Sequence, residues 1–374
     1  MKISPFAVEM WMNDWEKKCE LNLAETCVES LTISELLALT GKNDDSLSEL
    51  LTIKMTYGGI EGSDRLKAAI TTLYTDQTPE NILTTHGAIG ANALVYQALI
   101  EQGDEVITVV PTYQQHYSIP ASMGADVRPL KLLPEQGYQL DIEELAALAT
   151  SDTKLIVINN PNNPTGALLS LEKLHQIVEI ARKSDAWLLC DEVYRGTNQS
   201  GTGFTPSIVD LYEKGISTAS MSKSFSLAGL RLGWIAAPRS FIERVMLHRD
   251  YNTISVGRID DHFAALALEH KDLVIARAQR ITRTNLLTLS RWINGEKNIS
   301  WVKPRAGTTA LLTYEMETSS HNLCIDILKK TGVMFTPGST FDIEGAIRIG
   351  FGNTPDIVQK GLTRFSAYLK EYAQ

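Results

Sequence analysis

A single lysine, Lys223, stands between serines in the stretch SMSKSFSLAGLRLGW, which runs from residue 220 to 234. A lysine that reacts with a carbonyl group needs neighbours that keep part of it neutral, and small residues beside it leave room for a bulky partner. Ser220 and Ser222 offer hydroxyl groups, and Arg231 could meet a phosphate. These residue types favour covalent chemistry at Lys223. This segment alone is also consistent with a solvated lysine in a loop.

Polar residues also follow two short apolar runs elsewhere in the chain. Asp191 follows the run 186–190, where a buried carboxylate is costly unless a cation or a strong donor meets it. After the run 154–158 comes NNPNNPTG (159–166), whose prolines forbid a continuing central strand and whose asparagines offer hydrogen bonds from a rigid turn. A ligand contact would explain both sites. Asp191 could instead cap a helix or form a salt bridge, and residues 159–166 could form a plain turn.

A third candidate site is the start of a helical pattern. Apolar residues recur at helical spacing over 88–99, and the sequence THGAIG (85–90) overlaps the start of this pattern. A glycine at a helix start leaves backbone N–H groups open to a phosphate, and the helix dipole favours the negative charge. Many helices begin with glycine without binding anything, and we expect His86 to be a structural neighbour and not a base.

The elements that carry these residues alternate between strand and helix from about residue 60 to 250. The apolar runs 104–110, 154–159 and 186–190 are typical of strands buried on both faces of a parallel sheet. Helical patterns lie between them, over 88–99 and 171–181. This alternation predicts a doubly wound α/β sheet, whose ligand binds at the carboxyl ends of the strands.

After about residue 255 the pattern changes to that of a smaller α+β domain. We expect a large domain over residues 40–255 and a small domain that combines residues 1–39 with 256–374. The later elements predicted are a long helical stretch over 260–292, strands over 308–314 and 346–351, a helix over 323–330 and a final amphipathic helix.

The composition excludes several classes of function. The 374 residues carry a formal net charge of -9, and the 35 lysines and arginines form no dense run, so we expect no nucleic-acid partner. The N-terminus has no uninterrupted apolar region, and no apolar run approaches the ~20 residues that span a bilayer, so we expect a cytoplasmic protein without a membrane partner. The four cysteines show no CxxC spacing and the histidines no HExxH, so we expect no metal.

Taken in order along the chain, these residues belong to motifs that resemble those of the fold-type I pyridoxal-phosphate enzymes, specifically the class I/II aminotransferases. NPTG, DEVY, and SKSF with an arginine eight residues past its lysine are together highly specific. The resemblance implies pyridoxal 5'-phosphate as cofactor, a large domain with a mostly parallel sheet, a smaller α+β domain and an active homodimer. The motifs are YGGIEG (57–62), HGAIGA (86–91), PTY (111–113), NNPNNPTG (159–166), DEVY (191–194), SMSKSFSLAGLRLG (220–233) and RIGFG (348–352).

The resemblance implies a role for each matched position. Lys223 would hold the cofactor as an aldimine and then shuttle the proton between the substrate and the cofactor. Asp191 would keep the pyridine nitrogen protonated. Asn163 and Tyr194 would donate to the phenolic oxygen, and Tyr113 would stack on the ring. The other cofactor-binding residues that the resemblance implies are Gly87, Ala88, Ile89, Ser220, Ser222 and Arg231 around the phosphate, with Tyr57 from the other subunit.

Substrate recognition is less fully specified. The resemblance implies that Arg348 clamps the substrate α-carboxylate, beside Asn163. Arg249 lies where some relatives have an arginine that binds a second carboxylate of the substrate in the partner subunit's site. Arg258 is an alternative candidate for that role, and Arg249 could instead be an ordinary surface arginine. Two departures from the family pattern concern this region: Ala88 and Ile89 replace hydroxyl residues, and the segment 22–27 lacks a glycine often placed over the substrate.

The leading hypothesis is an aminotransferase that moves the amino group of an L-amino acid to a 2-oxo acid through Lys223. One alternative is a C–S β-lyase or an elimination and cyclisation enzyme similar to capreomycidine synthase, which the segments 22–36 and 249–255 locally resemble. Another is a regulatory domain that binds the cofactor without turnover. Such regulators carry an N-terminal DNA-binding domain, whereas about 55 residues precede Tyr57 here and are typical of an enzyme's N-terminal arm.

Overall fold

The structure, a computed structural model, describes residues 2–42 and 44–372 of the chain. Within them, no helix is long and apolar enough to cross a membrane. The strands are β1 (Leu21–Asn22), β2 (Ile82–Thr85), β3 (Glu105–Val110), β4 (Asp126–Lys131), β5 (Thr153–Asn159), β6 (Trp187–Asp191), β7 (Gly215–Ser220), β8 (Gly233–Ala236), β9 (Ile299–Trp301), β10 (Thr309–Tyr314), β11 (Val333–Met334), β12 (Thr336–Pro337) and β13 (Ala346–Gly350).

Helices connect these strands and form most of the C-terminal third of the chain. Short 3-10 turns also occur between them. The α-helices are α1 (Ala7–Trp15), α2 (Ile33–Leu39), α3 (Asp64–Thr71), α4 (Gly87–Leu99), α5 (Gln115–Ser122), α6 (Ile142–Leu148), α7 (Leu171–Lys183), α8 (Arg239–Arg249), α9 (Arg258–Glu269), α10 (Lys271–Ile293), α11 (Ser320–Thr331) and α12 (Pro355–Tyr372).

A seven-stranded sheet forms the centre of the fold, in the order β2-β8-β7-β6-β5-β3-β4. Strand β8 runs antiparallel to both of its neighbours, and every other neighbouring pair is parallel. The prediction of a mostly parallel α/β sheet is therefore confirmed. Because β3, β5, β6 and β7 all end at one edge of the sheet and β8 begins there, the residues that follow or precede these strands meet at that edge.

Helices cover both faces of this sheet, which is why its central strands β5, β6 and β7 are buried over almost their whole length. On one face, Leu94 and Val95 of α4 pack with Ile235 of β8. On the other face, Leu174 and Ile177 of α7 pack with neighbouring strands in a separate core cluster. Helix α7 buries residues at three- and four-residue spacing, and the Ser170 hydroxyl accepts a hydrogen bond from the Lys173 N–H at 3.2 Å as its N-cap.

A second, antiparallel sheet has the order β12-β13-β10-β9 and packs against α10, α11 and α12. Its core includes Phe335 and Phe365, whose ring centroids are 4.9 Å apart, and Trp11 of α1 joins the same cluster. The long helical stretch predicted over 260–292 consists of two helices, α9 and α10, because His270 between them adopts a non-helical backbone conformation. The boundaries proposed for the two domains stay a prediction.

The chain between α1 and α2 places an N-terminal segment (residues 22–28) between the two sheets. Its backbone contacts the second sheet, where the Gly350 N–H donates to the Leu23 carbonyl oxygen at 2.7 Å. It also contacts the loop after β7 of the large sheet, where the Val28 N–H donates to the Lys223 carbonyl oxygen at 3.3 Å. A Cβ atom at position 350 would lie 1.8 Å from the Glu25 carbonyl oxygen, so only glycine permits this approach. The N-terminal segment is thereby fixed beside the strand ends.

Candidate active site

A cavity of about 340 Å³ lies at the edge of the large sheet where β3, β5, β6 and β7 end. Helix α1, the N-terminal segment and the first turn of α4 complete its wall. Most of the residues predicted from sequence line this one space although they are far apart in the chain. They are Ala88, Ile89, Tyr113, Asn163, Asp191, Tyr194, Ser220, Ser222, Lys223, Arg231 and Arg348.

Lys223 follows β7 and is held by the N-terminal segment. Its Nζ donates to the Thr26 hydroxyl at 2.6 Å and lies 3.5 Å from the Cys27 Sγ. Burial opposes the charge of the Lys223 ammonium, but the ionised forms of Cys27, Tyr194 and Glu25 would favour that charge more strongly. The pKa of Lys223 therefore lies above its ordinary value, and the neighbours do not keep the amine partly neutral as expected. The amine therefore lies at a fixed place in the cavity wall, where a cofactor aldehyde could reach it.

Asp191 ends β6 as a buried carboxylate that several donors satisfy. Its Oδ2 accepts from the Asn92 side chain at 2.9 Å and lies 3.2 Å from the His116 Nε2, and its Oδ1 accepts from the Val193 N–H at 3.1 Å. Because a carboxylate can only accept, His116 carries its proton on Nε2, and its Nδ1 lies 2.8 Å from the Tyr96 hydroxyl. Among the residues that the structure describes, no lysine or arginine pairs with Asp191, so this carboxylate is available to a cationic ring.

Arg348 lies on β13 and is only 2% exposed. Its Nη2 donates to the Ala24 carbonyl oxygen at 2.9 Å and to the Thr336 hydroxyl at 3.0 Å, and its Nη1 donates to the Asn163 Oδ1 at 3.2 Å. Burial disfavours its charge and lowers the pKa of Arg348 below the ordinary value. Over residues 2–42 and 44–372, its Nε is buried without a hydrogen-bond partner, as is the Tyr194 hydroxyl, and both atoms belong to residues of the cavity wall.

The first turn of α4 and Arg231 form a cradle for an anion. Gly87 has φ +68°, and a Cβ there would lie 3.2 Å from the Arg231 Nη2, so the guanidinium lies close against the start of the helix. Arg231 itself has φ 49° and donates through Nη1 to the Ala228 carbonyl oxygen at 2.9 Å. Free N–H groups at a helix start, beside a guanidinium, are suited to a phosphate.

Tyr113 follows β3 and forms another part of the wall. Its hydroxyl donates to the Glu9 Oε1 of α1 at 2.6 Å, and its ring lies 4.7 Å from that of Phe6. Burial and the Glu9 charge raise the pKa of Tyr113 above its ordinary value, so it stays a neutral phenol. The cavity thus offers an amine, a buried carboxylate, an aromatic face, an anion cradle and two buried polar atoms without partners, which is a donor set that fits pyridoxal phosphate.

Three residues predicted from sequence do not line this cavity: Gly87, which adjoins it at the start of α4, and Tyr57 and Arg249, which lie elsewhere. Tyr57 is 74% exposed and lines a separate surface pocket with Arg258, whose Nη1 donates to the Lys54 carbonyl oxygen at 2.7 Å. Arg249 is fully buried at the end of α8, donates to the Ile60 carbonyl oxygen and has a pKa that burial lowers to about 10. The roles proposed for Tyr57, Arg249 and Arg258 across a dimer interface stay predictions.

Several residues of the site were not predicted from sequence. Asn92 and His116 carry no motif of their own, and only the fold brings them to Asp191. Glu9, Glu25 and Thr26 precede the first motif and reach the cavity through α1 and the N-terminal segment. The spacing of Asn92 four residues after Ala88, on the same helical face, is the one signal that could have indicated its place.

Comparisons with known proteins identify the family of the chain. A sequence model described as aminotransferase class I and II matches residues 52–365. A crystal structure of a PLP-dependent aminotransferase from Streptococcus suis 89-1591 superposes with a TM-score of 0.96 at 40% identity, covering 100% of this chain and 99% of the other.

Two curated relatives are similar at lower identity. Capreomycidine synthase from Streptomyces vinaceus is 29% identical over 98% of this chain and 94% of its own length. An aspartate/prephenate aminotransferase from Thermus thermophilus is 28% identical over 78% of this chain and 76% of its own length. The chain therefore belongs to the aminotransferase class I and II family, whose members depend on pyridoxal phosphate.

Proposed function

We propose that this enzyme transfers the amino group of an L-amino acid to a 2-oxo acid, with Lys223 as the residue that binds pyridoxal phosphate and moves the proton. The observation that carries this proposal is the meeting of Lys223, Asp191 and the unpartnered Nε of Arg348 in one cavity. When bound there, pyridoxal phosphate supplies an electron sink for the charge that develops at the substrate α-carbon.

Lys223 is the general base and acid of the proposed reaction. Its Nζ lies 2.6 Å from the Thr26 hydroxyl, which can orient the amine by accepting a hydrogen bond while the amine gives a proton to the substrate or takes one from it. Cys27 is a weaker contact, and burial raises the pKa of its thiol to about 11, so it stays uncharged beside the lysine. The proton therefore moves at the Lys223 Nζ.

Asp191 would hold a proton on the pyridine nitrogen. Asn92 and His116 orient the carboxylate through Oδ2, and the Val193 N–H fixes Oδ1. A buried carboxylate held in place stabilises a cationic ring more strongly than a solvated carboxylate does. His116 is in this account a positioning residue, because it acts through Asp191.

The remaining wall would orient the cofactor and the substrate. The start of α4, the Arg231 guanidinium and the hydroxyls of Ser220 and Ser222 would bind the phosphate. Tyr194 and Asn163 would donate to the phenolic oxygen, and Tyr113 would pack on the ring. Arg348 would clamp the α-carboxylate, since its buried Nε has no partner in the part of the chain that the structure describes.

Tyr57 would complete the site from a second subunit. Its side chain is exposed on the loop before α3, and in its own chain it lies outside the cavity. We therefore propose a homodimer in which Tyr57 of each subunit donates to the phosphate of the other. Arg258 lies beside Tyr57 and would be carried to the same interface.

A second candidate reaction is elimination or cyclisation at the same cofactor. It is favoured by the match to capreomycidine synthase, which spans 98% of this chain, whereas the match to the aspartate/prephenate aminotransferase spans 78%. The same residues at the cofactor would serve either reaction, so the fate of the nitrogen distinguishes them.

Isotope transfer tests the proposed function. Enzyme loaded with pyridoxal phosphate would be incubated with ¹⁵N-labelled amino acids and a panel of 2-oxo acids, and the products analysed by mass spectrometry. We expect ¹⁵N in a new amino acid, and none with Lys223→Ala. Release of ammonia and pyruvate from cystathionine, or a cyclised guanidino product, without nitrogen transfer would favour the second candidate.

A further inference from the structure

The cavity wall has an excess of negative charge once its cations are assigned to the cofactor and to the substrate α-carboxylate. The wall contains four carboxylates and three cations. Under the proposed function, Arg231 faces the phosphate, Arg348 faces the α-carboxylate, Lys223 engages the cofactor and Asp191 faces the ring nitrogen. Three carboxylates, those of Glu9, Glu16 and Glu25, have no cation assigned to them.

Two of these carboxylates are fixed in place by hydrogen bonds. The Glu9 Oε1 accepts from the Tyr113 hydroxyl at 2.6 Å. The Glu25 Oε1 accepts from the N–H groups of Thr26 at 2.6 Å and Cys27 at 2.7 Å. Burial raises the pKa of the Glu25 carboxyl, but the charge of Lys223 and these backbone donors outweigh it, so its pKa lies below the ordinary value.

The positions of the three glutamates place their charge on one side of the cavity. Glu9 and Glu16 are seven residues apart on and just after α1, which is the spacing of one helical face, and Asn13 between them also lines the cavity. Glu25 lies in the N-terminal segment, and the charges of Glu9 and Glu25 both act on Arg348. Within the described residues, none of the three forms an ion pair with a lysine or arginine.

The Nε of Arg348 is an independent observation on this side of the cavity, since it is buried without a hydrogen-bond partner among the described residues and belongs to the cavity wall. Arg348 is 2% exposed, and a buried guanidinium N–H without a partner is costly unless an acceptor meets it. A carboxylate bound there places the rest of the ligand near Glu25, because the Arg348 Nη2 donates to the carbonyl oxygen of the adjacent Ala24. Glu9 lines the same cavity.

We propose that the amino-acid substrate carries a cationic side chain, an ammonium or a guanidinium, which the carboxylates of Glu9 and Glu25 recognise, with Glu16 at the exposed rim. This inference rests on the proposed function and names its substrate class. A second substrate carboxylate would instead meet three negative charges, and Arg249, the residue considered for reading it, is buried against the Ile60 carbonyl oxygen of its own chain.

Binding of unreactive acids tests the charge preference without turnover. Calorimetry on the holoenzyme would compare 5-guanidinopentanoate with 5-ureidopentanoate, which has nearly the same shape but no charge, and with hexanedioate. We expect the guanidino acid to bind at least about tenfold more tightly than either. Equal affinities, or tighter binding of the dicarboxylate, would overturn the proposal.

Charge-removing variants identify the residues responsible. Glu9→Gln and Glu25→Gln keep an amide oxygen for the Tyr113 hydroxyl and the backbone donors, and we expect each to reduce the guanidino preference and the double variant to abolish it. Glu101→Gln, a matched change at an exposed glutamate outside the cavity, should leave the preference unchanged. Retention of the full preference in the double variant would overturn the assignment of these residues.

A spectroscopic comparison separates this proposal from the proposed function. Arginine, lysine and ornithine should convert the bound cofactor faster than citrulline, norleucine and glutamate. Conversion by neutral or acidic amino acids in preference to basic ones would overturn the substrate class and leave the aminotransferase proposal standing. If no amino acid converts the cofactor, the aminotransferase proposal fails, while the calorimetric comparison still decides the charge preference.

Discussion

Lys223 and the residues that hold it are the smallest unit on which the proposed reaction depends. Its contact with Thr26 joins residues 197 positions apart in the chain, and Cys27 lies on the same segment. The motif around Lys223 indicated a reactive lysine, whereas neither Thr26 nor Cys27 carries a recognisable signal. Contacts of this kind depend on how the N-terminal segment packs between the sheets, which local sequence does not specify.

Removal of the Lys223 amine should abolish the reaction. General acid and base catalysis contributes about 10²- to 10⁴-fold to a rate, so Lys223→Ala should lower the rate of amino-group transfer by at least that range. Lys360→Ala, at an exposed helix position, is the matched control. Borohydride reduction of the wild-type holoenzyme followed by peptide mass spectrometry should find the cofactor attached at residue 223, and attachment at any other lysine contradicts the assignment.

Cys27 should react slowly with alkylating reagents at neutral pH. Burial raises the pKa of its thiol to about 11, so the reactive thiolate is scarce below that pH and increases as the pH rises toward it. At pH 8 we expect alkylation of Cys27 by iodoacetamide to be about a hundredfold slower than that of a free thiol, followed by peptide mass spectrometry. A rate that is already independent of pH near neutrality would show that the thiolate is stabilised there.

At the scale of elements, the start of α4 is the part of the fold on which phosphate binding depends. Gly87 has φ +68°, and a Cβ at this position would lie 3.2 Å from the Arg231 guanidinium. Gly87→Ala should therefore strain the backbone and displace Arg231, and we expect at least about tenfold weaker binding of pyridoxal phosphate to the apoenzyme in an absorbance titration.

Gly103→Ala provides a matched control for this prediction. Gly103 also has positive φ, +90°, but a Cβ there would contact nothing within 4 Å. The two variants share the cost of a strained backbone, so both should lose stability on thermal unfolding. Weakened cofactor binding in Gly103→Ala to the same degree would show that the effect of Gly87→Ala is general destabilisation.

The sequence predicted those elements whose residues follow a clear period. Helices α4 and α7 and strands β5 and β6 were predicted close to their observed bounds because their buried residues recur at the spacing of a helix or fill a whole strand. The antiparallel direction of β8 and the position of α1 were not predicted, because both depend on pairing and packing with distant parts of the chain. Glu9 was missed because it lies on α1, and Asn92 was missed because its contact with Asp191 joins residues 99 positions apart in the chain. Asp191 and Asn163 were found because they follow predicted strands.

At the scale of the whole molecule, two subunits should share each active site. Tyr57 is exposed and lies outside the cavity of its own chain. If Tyr57 acts in the partner's site, a hybrid dimer of Tyr57→Ala and Lys223→Ala subunits has one site with both defects and one site with neither. Mixing the two variants under conditions of subunit exchange should restore about one quarter of the wild-type activity.

The same mixture gives a clear contrary result. If Tyr57 serves its own subunit, every site in the hybrid carries one defect, and the activity should not exceed the average of the two variants. A mixture of Lys223→Ala with Arg348→Ala subunits is the control, since both residues line one cavity of a single chain and should not complement each other.

The most direct test of the central claim is the half-reaction of the purified holoenzyme, followed by absorbance. An amino acid added alone should convert the bound pyridoxal form to the pyridoxamine form, and a 2-oxo acid added afterwards should convert it back, with both changes absent in Lys223→Ala. If none of the common amino acids, acidic, neutral or basic, produces this reversible conversion, the enzyme does not transfer amino groups in the way proposed.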